Sequence, residues 1–172
     1  VYNFIKEKLP YNGKVLDCGS GACSILNGTV KNDNLLVTDL LASEYAKIFD
    51  YSKHDIVQPI PLGCEDLPYR DQFDIVHISN AIDHTTDPVK SYDKLLEAVK
   101  KDGYLIIQGF ENEGEHEKWE GMHQWNISLT PTNQLRIASK DGKVTYKEGA
   151  TIAERVYIEM LGREWFIFIV KK

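Results

Sequence analysis

From Lys14 to Gln108 the chain alternates short apolar runs with segments of helical periodicity. No other feature constrains the fold as strongly. Strand, helix and strand in succession close as a βαβ unit, and such units stack into a parallel sheet covered on both faces. Lys14–Cys18 reads as a first strand after the Asn12-Gly13 turn, and Asn34–Leu40 as a second. Ser24–Val30, between them, has room for about two helical turns at most. Tyr2–Leu9 and Ala42–Phe49 carry helical patterns. Ile56–Leu62 is expected as a third strand, held to an edge or made irregular by Pro59 and Pro61. Phe73–Ser79 is expected as a buried fourth strand.

Asp87–Lys101 is the clearest helix. Asp87 suits the N-cap and Pro88 the first helical position, and Val89, Tyr92, Leu95, Leu96 and Val99 recur at helical spacing. Gly103 reads as its stop signal and Tyr104–Gln108 as a fifth strand. Beyond a polar stretch, Glu111–Asn126, come the short runs Gln134–Ala138, Lys143–Lys147, Arg155–Met160 and Trp165–Lys171. The turns Asp141-Gly142 and Leu161-Gly162 make them two antiparallel hairpins. The expected fold class is α/β: a doubly wound, mostly parallel sheet with antiparallel C-terminal edge strands and a β-hairpin insertion, with residues 1–172 as one domain.

Composition excludes several classes of function. With 42% hydrophobic residues in 172, the chain can bury roughly 70% of its unfolded surface without disulfides or metal. A net charge of −6 argues against tracking a nucleic-acid backbone. No apolar run reaches the ~20 residues of a membrane span, and no signal peptide is visible. Three cysteines (Cys18, Cys23, Cys64) without a CxxC pair fit free thiols in a reducing cytoplasm.

The chemistry-bearing motif is Asp17-Cys18-Gly19-Ser20-Gly21, at the end of the first strand. Glycines there permit a tight turn and a close approach of backbone to ligand, in the crevice at the carboxyl ends of the strands. Ser24 stands where a dinucleotide fingerprint needs its last glycine, and no Gly-Lys-Ser/Thr follows. Asp17 would repel a pyrophosphate and attract an ammonium group. The bland alternative is an ordinary strand-to-helix turn. Asp39 ends the second strand, where a carboxylate can accept both hydroxyls of a ribose; the alternative is a helix cap.

Asp17-x-Gly19-x-Gly21, Asp39, Glu65-Asp66-Leu67-Pro68, Phe73-Asp74-Ile75-Val76, Asn80-Ala81-Ile82-Asp83-His84-Thr85-Thr86-Asp87-Pro88 and Lys101-Asp102-Gly103-Tyr104-Leu105 follow one another in an order that resembles class I S-adenosylmethionine-dependent methyltransferases. The likeness is greatest to the branch of ubiquinone/menaquinone-biosynthesis enzymes, and it covers Val15 to Gly109. It implies a Rossmann-like fold and S-adenosylmethionine as cofactor. It places Asp17, Gly19, Ser20 and Gly21 against the methionine portion, and Asp39 on the ribose. Leu40, Cys64, Glu65 and Asp66 would lie around the adenine, with Asn80 under the methionine end. Asp74 is expected instead to support the fourth strand. The chain departs from the family at Cys23, in place of a third glycine, and at Gly63, where an aspartate often meets the adenine. The first crossover helix is short, and only Val1–Tyr11 precede the first strand, so the usual N-terminal cap is expected to be short or missing. These departures favour the alternative of a non-catalytic module that binds S-adenosylmethionine or another nucleoside; the intact carboxylates disfavour it.

Acceptors in this fold commonly approach from the side after the fifth strand. If the acceptor is a hydroxyl, a general base within hydrogen-bond reach assists, and imidazole titrates in the right range. His123, His84 and Glu113 are the catalytic candidates, which slightly prefers O-methylation of a small molecule. The alternatives are a capping role for His84 and a packed lid for His123 and Trp125. His116 and His123 can share a helix face but lack a third ligand, so no metal is expected. Trp165, Phe166 and Phe168 are expected as sheet core. An exposed strand at Val144–Tyr146 offers an edge for a homodimer.

Overall fold

The computed structural model describes residues 1–172. Four strands, β1 (Val15–Cys18), β2 (Leu35–Thr38), β3 (Phe73–Ser79) and β4 (Val99–Phe110), run parallel in the order β2-β1-β3-β4. β9 (Arg163–Lys171) joins β4 antiparallel, and β8 (Ala150–Ile158) joins β9 antiparallel at the edge. The helices α1 (Tyr2–Lys8), α2 (Ala42–Ile48) and α3 (Pro88–Ala98) lie within the segments where periodicity placed them. The doubly wound sheet with antiparallel C-terminal edge strands is therefore as expected.

Alternate residues of the strands enter two separate cores. Leu16, Val76, Ile78, Leu105, Ile107 and Phe168 pack with Tyr92 and Leu95 of α3. Val15, Ile75, Ile106 and Ile169 pack on the opposite face with Ile5 of α1. Burial of both faces explains why these strands read as continuous apolar runs. Phe166 and Phe168 are core residues, as expected, whereas Trp165 is only part-buried and lies outside both cores.

Four elements differ from expectation. Ile56–Leu62 forms no strand. Pro59 and Pro61 lack N–H donors, so only Ile60 between them bonds β2, donating to Val37 O at 2.9 Å and accepting from Asp39 N at 3.1 Å. The first crossover contains no α-helix, only the 3₁₀ turn Asn32–Asn34. The helix α3 stops at Ala98, and β4 begins at once and runs for twelve residues. Gly103 is thus inside a strand. A Cβ there would lie 2.7 Å from the Asp74 carbonyl oxygen, so glycine serves close strand approach rather than a helix stop. Finally, the hairpin insertion is a three-stranded antiparallel sheet: β5 (Trp125–Leu129), β6 (Leu135–Ser139) and β7 (Val144–Lys147). Its Ile127, Leu129, Leu135 and Ile137 close over the core on the α3 side. No helix is long and apolar enough to cross a membrane.

Candidate functional site

The loop after β1 is tied to the end of β2. Gly19 N and Ser20 N donate to Thr38 O at 2.8 and 3.2 Å, and Gly21 N donates to Asp39 Oδ2 at 2.9 Å. The other oxygen of Asp39 accepts from Leu41 N at 2.8 Å. Gly19 has φ +67°, and a Cβ on it would stand 2.7 Å from the Ala81 Cβ. Gly19→Ala is expected to cost about 1–2 kcal/mol in left-handed strain alone. Urea denaturation measures this, and unchanged stability would mean the loop relaxes freely.

The loop, the end of β2 and the end of β3 enclose a cavity of about 420 Å³, within the usual range for a small-molecule site. Its walls include Gly19, Ser20, Gly21, Asp39 and Leu40 on one side. Cys64, Glu65 and Gly63 approach from the 3₁₀ turn Cys64–Asp66 and its entry, and Asn80 and His84 from the segment after β3. Asn80 adopts φ +50° and accepts from Phe110 N at 3.2 Å, which fixes it at the mouth of the β3–β4 pair. Glu65 accepts from Asp87 N at 2.9 Å, joining the cavity wall to the start of α3. The Cys64 Sγ lies 3.0 Å from Cys18 Sγ; that neighbour and burial raise its pKa well above the usual thiol value.

Two expected contact residues stand elsewhere. Asp66 is solvent-exposed and outside the cavity, 3.7 Å from Lys90 Nζ. Asp17 is only 2% exposed and does not line the cavity. Its side chain is the terminus of a buried relay: Trp165 Nε1 donates to Gln108 (3.4 Å), Gln108 Nε2 to His77 Nε2 (3.1 Å), and His77 Nδ1 to Asp17 (2.7 Å). The Ser24 hydroxyl donates to the second Asp17 oxygen. The β-register explains the burial, since Asp17 pairs with His77 on the α1-facing side of the sheet. Asp74 accepts from Lys14 N at 2.7 Å and Lys100 Nζ at 2.9 Å, supporting the start of β3 as expected.

At the cavity rim the three catalytic candidates meet. His84 Nε2 lies 3.2 Å from His123 Nδ1. His123 Nδ1 is 2.8 Å from Asp83 Oδ2 and 3.4 Å from Glu113 Oε2. Glu113, in the helical turn α4 (Glu113–His116), also pairs with Arg163 of β9. Asp83 and Glu113 are buried, whereas the two imidazoles are part-exposed. Burial lowers the His84 pKa, against the opposing pull of Asp83. His84 and Met122 line the cavity, so the cluster borders it. Trp125 Nε1 donates to Thr85 O at 3.0 Å and fastens β5 to this corner.

Asp83 and Arg163 were not singled out from the sequence. Asp83 was legible as the neighbour of His84; Arg163 follows a hairpin turn 50 residues from Glu113, with no local signal. His116 points to Glu117 and is exposed, but Asp83 and His84 supply the further ligand atoms that the His116–His123 pair lacked.

A family model described as a methyltransferase domain matches residues 16–107. No curated protein sequence matches the chain. Among solved structures, an S-adenosylmethionine-dependent methyltransferase from Clostridium acetobutylicum is 15% identical with a TM-score of 0.60, over 99% of this chain and 89% of that one. A 1,6-didemethyltoxoflavin-N1-methyltransferase from Burkholderia thailandensis, with bound 1,6-didemethyltoxoflavin and S-adenosylhomocysteine, is 15% identical with a TM-score of 0.58, over 93% and 71%. The [4+2]-cyclase SpnF is 12% identical with a TM-score of 0.60, over 99% and 79%. At these identities the likeness is one of fold.

Proposed function

The chain belongs to the methyltransferase-domain family, and on that premise we propose that it transfers the methyl group of S-adenosylmethionine to an oxygen of a small-molecule acceptor. The observation that carries the cofactor half is the cavity itself: a glycine loop bonded to a carboxylate at the end of the neighbouring parallel strand. The residues present fit the cofactor. Gly19 leaves open a cradle that a side chain would fill against Ala81. Asp39, half-buried at the cavity wall, retains lone pairs for two ribose hydroxyls. Leu40, 67% exposed, offers an apolar face for a base. Cys64 and Glu65 border that face, and Asn80 floors the opposite end. Bound there, S-adenosylmethionine supplies an electrophilic methyl carbon on a sulfonium.

This chain's residues must then hold the acceptor in line, exclude water and stabilise loss of the hydroxyl proton. His84 lines the cavity and is joined to His123 and Asp83 behind it, and this titratable cluster supports oxygen over other acceptor atoms. The toxoflavin enzyme's bound substrate is consistent with a small-molecule acceptor. The ubiquinone/menaquinone-like branch belongs to this proposal, as does a cytoplasmic setting, which three unpaired thiols suit. The exposed β7 edge supports self-association.

Calorimetric titration with S-adenosylmethionine, S-adenosylhomocysteine and NAD tests the cofactor assignment. Micromolar binding of the first two and none of NAD is expected; no binding by folded protein would overturn it. With an acceptor in hand, His123→Ala is expected to keep cofactor affinity and lower turnover at least tenfold. An unfolded His123→Ala would instead make that residue structural.

A further inference from the structure

We propose that Asp83, His84 and His123 form a binding site for a divalent transition-metal ion at the rim of the cofactor cavity. Three observations carry this.

The first is geometric. Asp83 Oδ2, His84 Nε2 and His123 Nδ1 converge with mutual separations of 2.8, 3.2 and 3.5 Å. Those edges circumscribe a circle of radius about 1.9 Å, slightly less than the ~2.1 Å of a metal bond to nitrogen or oxygen. An ion therefore reaches all three atoms from one side of their plane, with its other positions unfilled by the triad. Two imidazoles and a carboxylate on one face is an arrangement that suits a catalytic first-row ion.

The second observation is charge. Asp83 and Glu113 are 4% and 5% exposed. Arg163 answers Glu113, but the only basic groups paired with Asp83 are the two histidines. A buried carboxylate facing two imidazoles is strongly stabilised by a cation among them. Glu113 Oε2, 3.4 Å from His123 Nδ1, stands ready as a fourth ligand or as a fixed acceptor beside the site.

The third is position. His84 both belongs to the triad and lines the cavity. If the cavity holds the methyl donor, as proposed above, an acceptor oxygen at an open position of the ion is presented beside the methyl group. The ion's charge favours release of the hydroxyl proton to solvent. Acceptors with a hydroxyl flanked by a second oxygen, able to chelate, are the class this site selects.

The test uses the whole chain freed of metal by chelator, titrated calorimetrically with Zn²⁺. One equivalent is expected to bind, and Asp83→Asn and His84→Ala are each expected to weaken it at least tenfold. His116→Ala, an exposed histidine outside the triad, is expected to bind as the parent does. Absence of Zn²⁺ binding, or equal binding by the triad variants, would overturn the site. If a variant does not fold, proton NMR of the unsubstituted protein decides. Co²⁺ is expected to perturb the ring signals of His84 and His123 and spare those of His54 and His116; the reverse pattern sinks the proposal. S-adenosylhomocysteine titrated into the same metal-free protein tests the cofactor reading separately, because Gly19–Gly21 and Asp39 share no ligand atom with the triad.

Discussion

Asp17→Ala is expected to destabilise the fold by about 3 kcal/mol, because it leaves two buried donors without their carboxylate acceptor. The carboxylate is 2% exposed and receives bonds from His77 Nδ1 and Ser24 Oγ. Without it, both donors are buried with no acceptor, and the relay through Gln108 to Trp165 loses its negative terminus. Asp17→Asn is expected to cost less, because its amide oxygen still accepts one of the two bonds. Urea denaturation of the three proteins measures the difference. From sequence alone, Asp17→Ala is expected to act on cofactor binding at the methionine end. The structure moves the effect to folding, with any loss of binding secondary to it. An alanine variant as stable as the parent, yet unable to bind cofactor, would return the carboxylate to the pocket.

Asp39→Ala is expected to weaken S-adenosylhomocysteine binding on the order of a hundredfold while leaving the protein folded. Two charge-assisted bonds to a ribose are worth roughly 3 kcal/mol together, and Asp39 also holds the Gly21 and Leu41 amides in place. The residue sits at a half-exposed loop junction outside both cores, so the fold survives its loss. Asp39→Asn separates the two roles. An amide oxygen can still accept from Gly21 N–H, so an asparagine variant that restores the loop but not the affinity assigns the loss to the ribose. Calorimetry on both variants reads the outcome, and unchanged affinity in Asp39→Ala would remove the ribose assignment.

The alternation of apolar runs and helical segments was enough to read the sheet, α3 and the C-terminal hairpin, because each rests on local periodicity and turn chemistry. The same holds for the cavity: Gly19, Gly21 and Asp39 sit within a few residues of strand ends, and strand ends converge in any sheet of this type. The sequence alone did not distinguish an aspartate facing ligand from one facing core. Asp17 is two residues from Gly19, and only its pairing with His77 across β1 and β3 gives its carboxylate a buried partner away from the cavity. Nor did it show that Ile56–Leu62 would fail as a strand, although Pro59 and Pro61 carried the reason. The rim cluster belongs wholly to tertiary structure. Asp83 and His84 leave β3, Glu113 and His123 come from the segment between β4 and β5, and Arg163 comes from β9. Sequence chemistry could nominate the histidines one by one. Only packing of the small sheet over the α3-side core brings their nitrogens to within 3.2 Å of each other and Asp83 to within 2.8 Å of His123, because contacts between segments so far apart in the chain leave no local pattern to read.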